Sequence, residues 1–245
     1  DGRIDWEFIR SWHLEAGLRL NHEERDLTAS STVGPLPTFA GTADRSDTAL
    51  IPQISIAWKP DDSLTSGIRL SRIYRPGGLS RAPNLAIVDE YEEEDGWDLD
   101  AFTKFSGETH EIEASVFYSR FQSMQVPHDL PGGAAGLDTT VANSGSARRY
   151  GLGLSGKWMP VSGLAFTGSL GWTHTRFDDL VLNGSDLSGQ SFPNAPEWTA
   201  STGVNYSHPS GLYGTLLFTY ADTSYSMVKY REETSLETRK LLSAR

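Results

Sequence analysis

Apolar and polar side chains alternate along most of this chain. In one clear segment Leu164, Phe166 and Leu170 share one parity, while Thr167 and Ser169 share the other. A period of two places each set on one face of an extended strand. Repeats of this alternation predict about eleven strands, near residues 3–9, 12–24, 48–59, 63–74, 97–105, 109–124, 148–158, 164–176, 197–207, 212–221 and 238 to the end.

The connections between these strands are alternately short and long. The short ones are residues 10–11, 60–62, 106–108, 160–163 and 208–211, and the long ones are 25–47, 75–96, 125–147, 177–196 and 222–237. Tight turns at one rim and long loops at the other are typical of an antiparallel transmembrane β-barrel, and apolar faces of roughly 9–11 residues suit a tilted strand that crosses a bilayer. We therefore predict an all-β fold with short periplasmic turns and long extracellular loops.

Charged residues stand at polar-parity positions of several predicted strands. The dry core of a soluble β-sandwich would not tolerate such charges unpaired, whereas a water-filled or plugged lumen would. We therefore expect these side chains to face the lumen of a barrel. They are Arg19, Arg69, Glu111, Glu113 and Lys157.

Composition excludes several other classes of protein. The chain has 245 residues, 38% of them hydrophobic, which suits one domain over 1–245, and it contains no apolar run near 18 residues. The absence of cysteine excludes disulfides and thiolate chemistry, and a net charge of −11 argues against nucleic-acid binding. Six scattered histidines have no metal-ligand spacing, and no nucleophile is paired with a base. We predict no enzyme, no metal site and no cofactor.

Five local runs, in order, resemble motifs of one family. They are residues 74–78 (Tyr-Arg-Pro-Gly-Gly), 94–104, 117–118 (Phe-Tyr) followed by 124–126 (Met-Gln-Val), 143–151 and 192–198. Together they resemble the C-terminal half of the barrel of TonB-dependent outer-membrane receptors. Three positions depart from the family pattern, because Glu93, Phe102 and Gly153 stand where proline, glycine and glutamate are usual.

The resemblance implies about half of a 22-stranded barrel in the outer membrane of a Gram-negative bacterium. The plug domain, through which the TonB complex acts, and the closing C-terminal strand are expected outside this chain. The implied function is energised uptake of a large, scarce nutrient, most typically a ferric siderophore. Expected partners are outer-membrane lipid, lipopolysaccharide and the TonB complex. A passive porin or another outer-membrane barrel is the alternative, and a soluble β-rich binding module is a third hypothesis.

Candidate ligand contacts lie at the predicted strand mouths and in the loops. Tyr74, Arg75 and Arg81 flank a Pro-Gly-Gly turn, and these residue types suit anionic or catecholate ligands. The alternative is a rim ion pair beside an interfacial tyrosine. His128, in a long loop, is a further candidate, with exposed loop polarity as its alternative.

Two other motifs have chemical interpretations that their context weakens. Residues 89–100 contain eight acidic side chains, which suggest either a hard-cation site or a solvated, self-repelling loop, but EF-hand spacing is absent. Residues 151–156 match G-x-G-x-x-G, yet they lie inside an alternating segment. A dinucleotide site needs that motif between a strand and a helix, so we predict a barrel strand.

Overall fold

The computed structural model describes residues 1–31, 39–82, 87–132, 139–143, 145–228 and 234–245. Every regular element in these ranges is a β-strand, and they contain no helix that could cross a membrane. The strands are β1 Gly2–Ile9, β2 Trp12–Ser31, β3 Phe39–Trp58, β4 Leu64–Arg75, β5 Gly78–Ala82, β6 Ile87–Tyr91, β7 Glu94–Ser106, β8 His110–Gln122, β9 Gln125–Asp129, β10 Thr139–Asn143, β11 Ser146–Val161, β12 Leu164–Asp179, β13 Val181–Leu182, β14 Ser185–Asp186, β15 Trp198–Ser207, β16 Tyr213–Ala221, β17 Ser224–Tyr225, β18 Ser235–Leu236 and β19 Arg239–Ala244.

Eleven of these strands form one antiparallel sheet, which confirms the predicted fold class. Its order follows the chain: β1-β2-β3-β4-β7-β8-β11-β12-β15-β16-β19. The remaining strands pair as small hairpins, β5 with β6, β9 with β10, β13 with β14 and β17 with β18. These hairpins lie within four of the five predicted long connections.

The first long connection differs from the prediction. Most of residues 25–47 continue β2 and β3 as a paired ribbon, with Arg25 opposite Arg45 and Thr28 opposite Thr42. The face of the ribbon that continues from Leu14 and Ile56 carries Asp26, Thr28, Thr42 and Asp44, so its sequence lacks the apolar alternation that marks a membrane strand. Backbone pairing continues nevertheless, because an antiparallel ladder depends on main-chain hydrogen bonds and not on one apolar face.

The two faces of the large sheet differ sharply. One cross-strand row is almost wholly apolar, and it consists of Trp6, Leu14, Ile56, Ile68, Ala101, Val116, Leu152, Trp172 and Trp198. These side chains do not form a core, since Trp6 is 59% exposed and Ile68 and Val116 are each 57% exposed. An apolar surface that spans nine strands is stable against lipid and not against water. This side of the sheet, the outward face, faces the membrane.

The opposite side, the polar face, carries charged and small residues. One of its rows consists of Asp5, Glu15, Ser55, Arg69, Asp100, Phe117, Gly151 and Thr173. In a barrel wall the face that is turned away from lipid lines the interior. The sequence alternation therefore becomes a division between lipid and lumen.

The turn at residues 10–11 lacks glycine, proline and aspartate, yet it closes tightly. Ser11 adopts a positive φ of 69°, and its backbone N–H donates to Glu7 Oε1 at 2.9 Å. Two other short turns use glycine for the same conformation, Gly163 at φ 81° and Gly211 at φ 91°. The acceptor on Glu7 thus helps a serine hold a conformation that glycine adopts without strain.

A buried apolar cluster, the loop core, lies at the long-loop end of the sheet. Ala147 lies opposite Phe121 and Phe177 in register, so these strand residues share the polar face. The long connections fold inward onto them, and the Phe192 ring packs 4.8 Å from Phe177. The members of the loop core are Phe121, Val126, Ala147, Phe177, Leu180, Leu182, Phe192 and Val228.

Candidate ligand-facing site

Two arginines on the polar face stack on aromatic rings just below the loop core. The Arg69 guanidinium lies 5.3 Å from the centroid of Phe102. Arg149 lies 5.5 Å from the Phe117 ring and 5.8 Å from Phe121, which belongs to the loop core. Such cation–π contacts hold an arginine in place while its N–H donors stay available to other acceptors.

Acidic and hydroxyl groups complete this inner-wall cluster. Ser119 donates a short hydrogen bond to Asp98 and accepts one from Arg149 Nε at 2.9 Å. Asp100 lies opposite Arg69 in register. The Nε atom of Arg69 is buried and has no hydrogen-bond partner among the described residues. The inner-wall cluster consists of Arg69, Asp98, Asp100, Phe102, Phe117, Ser119 and Arg149.

Two glycines make room for the aromatic rings of the cluster. A Cβ at Gly67 would come within 2.9 Å of the Phe102 ring, and a Cβ at Gly151 would come within 2.7 Å of the Phe117 ring. Each ring therefore lies over the backbone of the neighbouring strand, as in aromatic coverage of strand glycines. Gly151 begins the G-x-G-x-x-G run, which is part of strand β11 as predicted.

Several residues of the family-like motifs converge in a hydrogen-bonded rim network. Gln125 Nε2 donates to the carbonyl oxygens of Pro76 at 2.8 Å and Glu92 at 3.1 Å, and its backbone N–H donates to buried Glu94 at 2.9 Å. Asn143 Nδ2 donates to the same Glu92 oxygen at 2.9 Å. The motifs that are scattered along the sequence therefore fix the loops to one another.

The Pro-Gly-Gly turn is held in this rim network by two arginines. Arg25 donates to the Gly77 carbonyl at 2.9 Å, and a Cβ at Gly77 would come within 2.5 Å of the Arg45 guanidinium. Arg45 bonds Asp47 at 2.9 Å and Glu92 at 3.2 Å. The hydrogen bonds to Asp47 raise the pKa of Arg45 against the opposing effect of burial, so the guanidinium stays charged. The turn thus needs glycine because the arginines approach its backbone closely.

The four residues that we expected at the strand mouths and loops are not brought together. Tyr74 lies on the outward face, where Arg72 stacks 5.6 Å from its ring, as in the alternative of an interfacial tyrosine. Arg75 ends β4 opposite Glu94, and Arg81 lies exposed in β5. His128 lies in β9 with a buried Nδ1 atom that lacks a hydrogen-bond partner within the described ranges.

The five charges that we expected in the lumen all share the polar face, but they occupy three places. Arg19 lies 4.0 Å from Asp1, and Arg69 belongs to the inner-wall cluster. Lys157 lies opposite Glu111 near the short-turn rim, where Glu113 lies opposite Lys104. Lys104 also pairs with Glu111 at 2.8 Å, so this last group is internally balanced in charge.

The acidic run 89–100 is not a self-repelling loop. Arginines pair with its side chains: Arg45 with Glu92 and Glu93, Arg72 with Asp95 at 2.7 Å, and Arg149 with Asp98 at 3.6 Å. Part of the run is strand β7. In the portion of the chain that the structure describes, no cluster of three acidic or histidine ligands is arranged to hold a metal ion.

Comparison with known proteins identifies the family. A family model described as "TonB dependent receptor-like, beta-barrel" matches residues 2–239. The chain belongs to this receptor family. The match confirms the resemblance seen in the five motifs. The family is a class of receptors and transporters of the Gram-negative outer membrane and not a class of enzymes.

Solved structures share the fold of this receptor barrel at low sequence identity. The ferric yersiniabactin uptake receptor FyuA from Yersinia pestis is 18% identical, with a TM-score of 0.78, and the match covers 99% of this chain and 36% of FyuA. The siderophore receptor PiuA from Acinetobacter baumannii is 19% identical, with a TM-score of 0.75 and coverage of 98% and 35%. The copper transporter OprC is 16% identical, with a TM-score of 0.70 and coverage of 99% and 38%. The chain thus spans little more than a third of the length of these proteins.

Sequence reasoning identified Arg69 but missed the rest of the inner-wall cluster. Arg149, Phe117 and Asp98 become neighbours only through the register of three strands, which no local pattern specifies. One signal was present in the sequence, because Phe102 stands where this family usually has glycine. That departure supplies the ring on which Arg69 stacks.

Proposed function

We propose that the full-length protein that contains this chain is an outer-membrane receptor that takes up a ferric siderophore. The polar face lines the passage, and the inner-wall cluster contacts the ligand beneath the loops. The observation that carries this proposal is the pair of stacked arginines, Arg69 and Arg149, on the polar face directly below the loop core.

The chemistry of the inner-wall cluster suits an anionic chelate. Guanidinium groups form charge-assisted hydrogen bonds to anionic oxygens, and exposed ring edges or faces can pack against aromatic chelating groups. The Nε atom of Arg69 is enclosed, but the residue is only partly buried and forms no ion pair with a carboxylate of the described residues, and the side chain of Arg149 is 43% exposed. Both arginines therefore keep hydrogen-bonding capacity for a ligand.

The similar structures support this class of cargo, and one of them supplies the main competitor. FyuA and PiuA are siderophore receptors, whereas OprC is a copper transporter. The described residues offer no acidic or histidine cluster arranged to hold a bare metal cation, and the two aspartates of the inner-wall cluster are already matched by Arg69 and Arg149. We therefore favour an anionic ferric complex over a free metal ion.

In this proposal the TonB complex energises release through a plug region outside the 245 residues. The dispersed charges Arg19 and Lys157 contribute to the electrostatic field that guides an anionic ligand, while Arg69 makes direct contact. Lys157 lies opposite Glu111, so its contribution is expected to be the smaller one.

The test is ligand binding by the full-length receptor with Arg69→Gln and Arg149→Gln substitutions. Loss of a charge-assisted hydrogen bond costs about 1.5–3 kcal/mol, so each variant should bind a ferric tris-catecholate chelate about 10- to 150-fold more weakly. Arg3→Gln is the matched control, because Arg3 shares the polar face but pairs with Glu15 at 2.8 Å, away from the cluster. Unchanged affinity in the Arg69 and Arg149 double variant would refute this site.

A further inference from the structure

A second group of arginines crosses the sheet on the outward face and has no part in the inner-wall cluster. Arg148 lies directly opposite Arg120 on one neighbouring strand and directly opposite Arg176 on the other. Continuing across the sheet, Arg120 lies opposite Trp97 and Trp97 opposite Arg72. We name this set the arginine row, and its members are Arg72, Trp97, Arg120, Arg148 and Arg176.

The arginine row marks the membrane boundary at the long-loop end of the sheet. One register step toward the short turns, the outward face carries Leu70, Leu99, Tyr118, Tyr150 and His174. The next step reaches the apolar row that contains Val116 and Leu152. Aromatic side chains occupy the interface between hydrocarbon and headgroups in membrane barrels, so the arginines lie at the level of the headgroups.

Like charges that lie directly opposite each other across a sheet destabilise it unless an opposite charge intervenes. Two members of the row have acidic partners: Arg72 pairs with Asp95 at 2.7 Å, and Arg148 pairs with Asp178 at 3.3 Å. Arg120 and Arg176 are exposed, and no carboxylate of the described residues pairs with either of them. The row therefore presents uncompensated positive charge to the membrane surface.

An amphipathic groove adjoins the row. It has a volume of 310 Å³, and its apolar lining is Leu70, Trp97, Leu99 and Tyr118. Its polar lining is Arg120, Gln122 and Asp95, whose carboxylate is paired with Arg72. Its apolar part continues into the lipid-facing surface, and Arg120 lies at its polar end. This arrangement fits a molecule that places an acyl chain along the sheet and an anionic group at the arginines.

We propose that the arginine row binds the phosphate groups of lipid A, the membrane anchor of lipopolysaccharide, in the outer leaflet. The inference rests on the proposed outer-membrane location, because that leaflet lies on the long-loop side. Arg72 and Arg176 are separated by four strand spacings, roughly 19 Å. A diphosphorylated disaccharide with several acyl chains can engage arginines across such a width, whereas a phospholipid with one phosphate engages a single arginine pair.

The test uses the full-length receptor, purified from outer membranes in mild detergent, with diphosphorylated lipid A as the probe. The variant Arg120→Gln/Arg176→Gln removes the two uncompensated charges and should lower affinity for this probe at least about 10-fold. Both receptors should bind dephosphorylated lipid A equally weakly. Arg10→Gln/Lys59→Gln, which removes two charges at the opposite rim, should bind diphosphorylated lipid A like the wild type.

Three results would overturn the site: unchanged affinity in Arg120→Gln/Arg176→Gln, equal binding of dephosphorylated lipid A by the wild type, or equal competition by phosphatidylglycerol. The Arg120→Lys/Arg176→Lys variant checks folding, because it keeps both charges and should retain most of the binding. Membrane fractionation of the same samples separates the two proposals. Absence of the receptor from the outer membrane overturns the proposed function and this site together, whereas normal location with unchanged lipid binding overturns the site alone.

Discussion

Gln125 is the residue through which the rim network can be tested most sharply. Its side chain is 5% exposed and donates to the carbonyl oxygens of Pro76 at 2.8 Å and Glu92 at 3.1 Å. The Gln125→Ala substitution removes both bonds but leaves the backbone N–H, which donates to Glu94. The change should therefore loosen the Pro-Gly-Gly turn without breaking any strand pairing.

The magnitude follows from the two lost hydrogen bonds. A buried neutral hydrogen bond contributes about 1 kcal/mol net, and the Glu92 oxygen keeps its bond from Asn143 at 2.9 Å. We expect local opening of the turn to become easier by about 2 kcal/mol. Since about 1.4 kcal/mol corresponds to a factor of ten, amide protection in the loops should fall roughly 30-fold.

Hydrogen exchange with mass spectrometry on the full-length receptor in detergent measures this effect. Peptides over residues 76–92 and 123–129 should exchange faster in Gln125→Ala, while peptides of β11 should not change. Gln122→Ala is the control, because Gln122 ends β8 nearby but is exposed and has no hydrogen bond from its side chain in the described residues. Unchanged loop protection, or an equal loss across the whole sheet, would refute the idea that Gln125 fastens the loops.

Three further predictions concern the packing and the turns. Gly151→Ala would press a Cβ against the backbone oxygen of the next strand and against the Phe117 ring, so thermal unfolding in detergent should show a loss of about 1–3 kcal/mol. Phe177→Ala empties the fully buried centre of the loop core, and the loops should lose about 3–5 kcal/mol of local stability by hydrogen exchange while the sheet persists. Hydrogen bonds donated by Ser63 lower the pKa of Asp61 below its ordinary 3.8, so their stabilisation is present above that pH and is lost as the pH falls through the lowered value. Protection of the Ser63 amide should fall over that acidic range in the wild type but should be low at all pH values in Asp61→Ala, which has no side-chain acceptor.

The wall of the barrel was predictable from sequence because lipid and water act on alternate residues. Each membrane strand must present apolar side chains every second position, as Leu164, Phe166 and Leu170 do. Turn chemistry then marks the short rim. These constraints are local, so eleven strands and their order could be inferred without knowledge of any contact.

The extracellular side was less predictable because its structure depends on contacts between distant segments. The ribbon at residues 25–31 and 39–47 has polar residues at the positions that would face lipid, so the alternation that marks a membrane strand is missing from its sequence. Leu180 and Leu182 lie in a predicted loop, yet they are buried because the loop folds onto Phe177. Tyr74 was a candidate ligand contact, but strand parity places it on the outward face.

The motifs of the family resemblance illustrate the same limit. Gln125 and Asn143 could be recognised as family markers, but their spacing of 18 positions gave no reason for their chemistry. The structure supplies one, since both side chains donate to the Glu92 carbonyl. The inner-wall arginines likewise acquire their partners only through strand register.

Uptake of a radiolabelled ferric siderophore by cells that carry the full-length receptor tests the central claim most directly. The measurement compares cells with and without the receptor, each in the presence and absence of a functional TonB complex. Saturable uptake that requires both components is the predicted result, and it should fall when Arg69 and Arg149 are replaced together. Uptake that persists without TonB would show a passive pore, and no uptake of any ferric chelate in the complete system would contradict the proposed function.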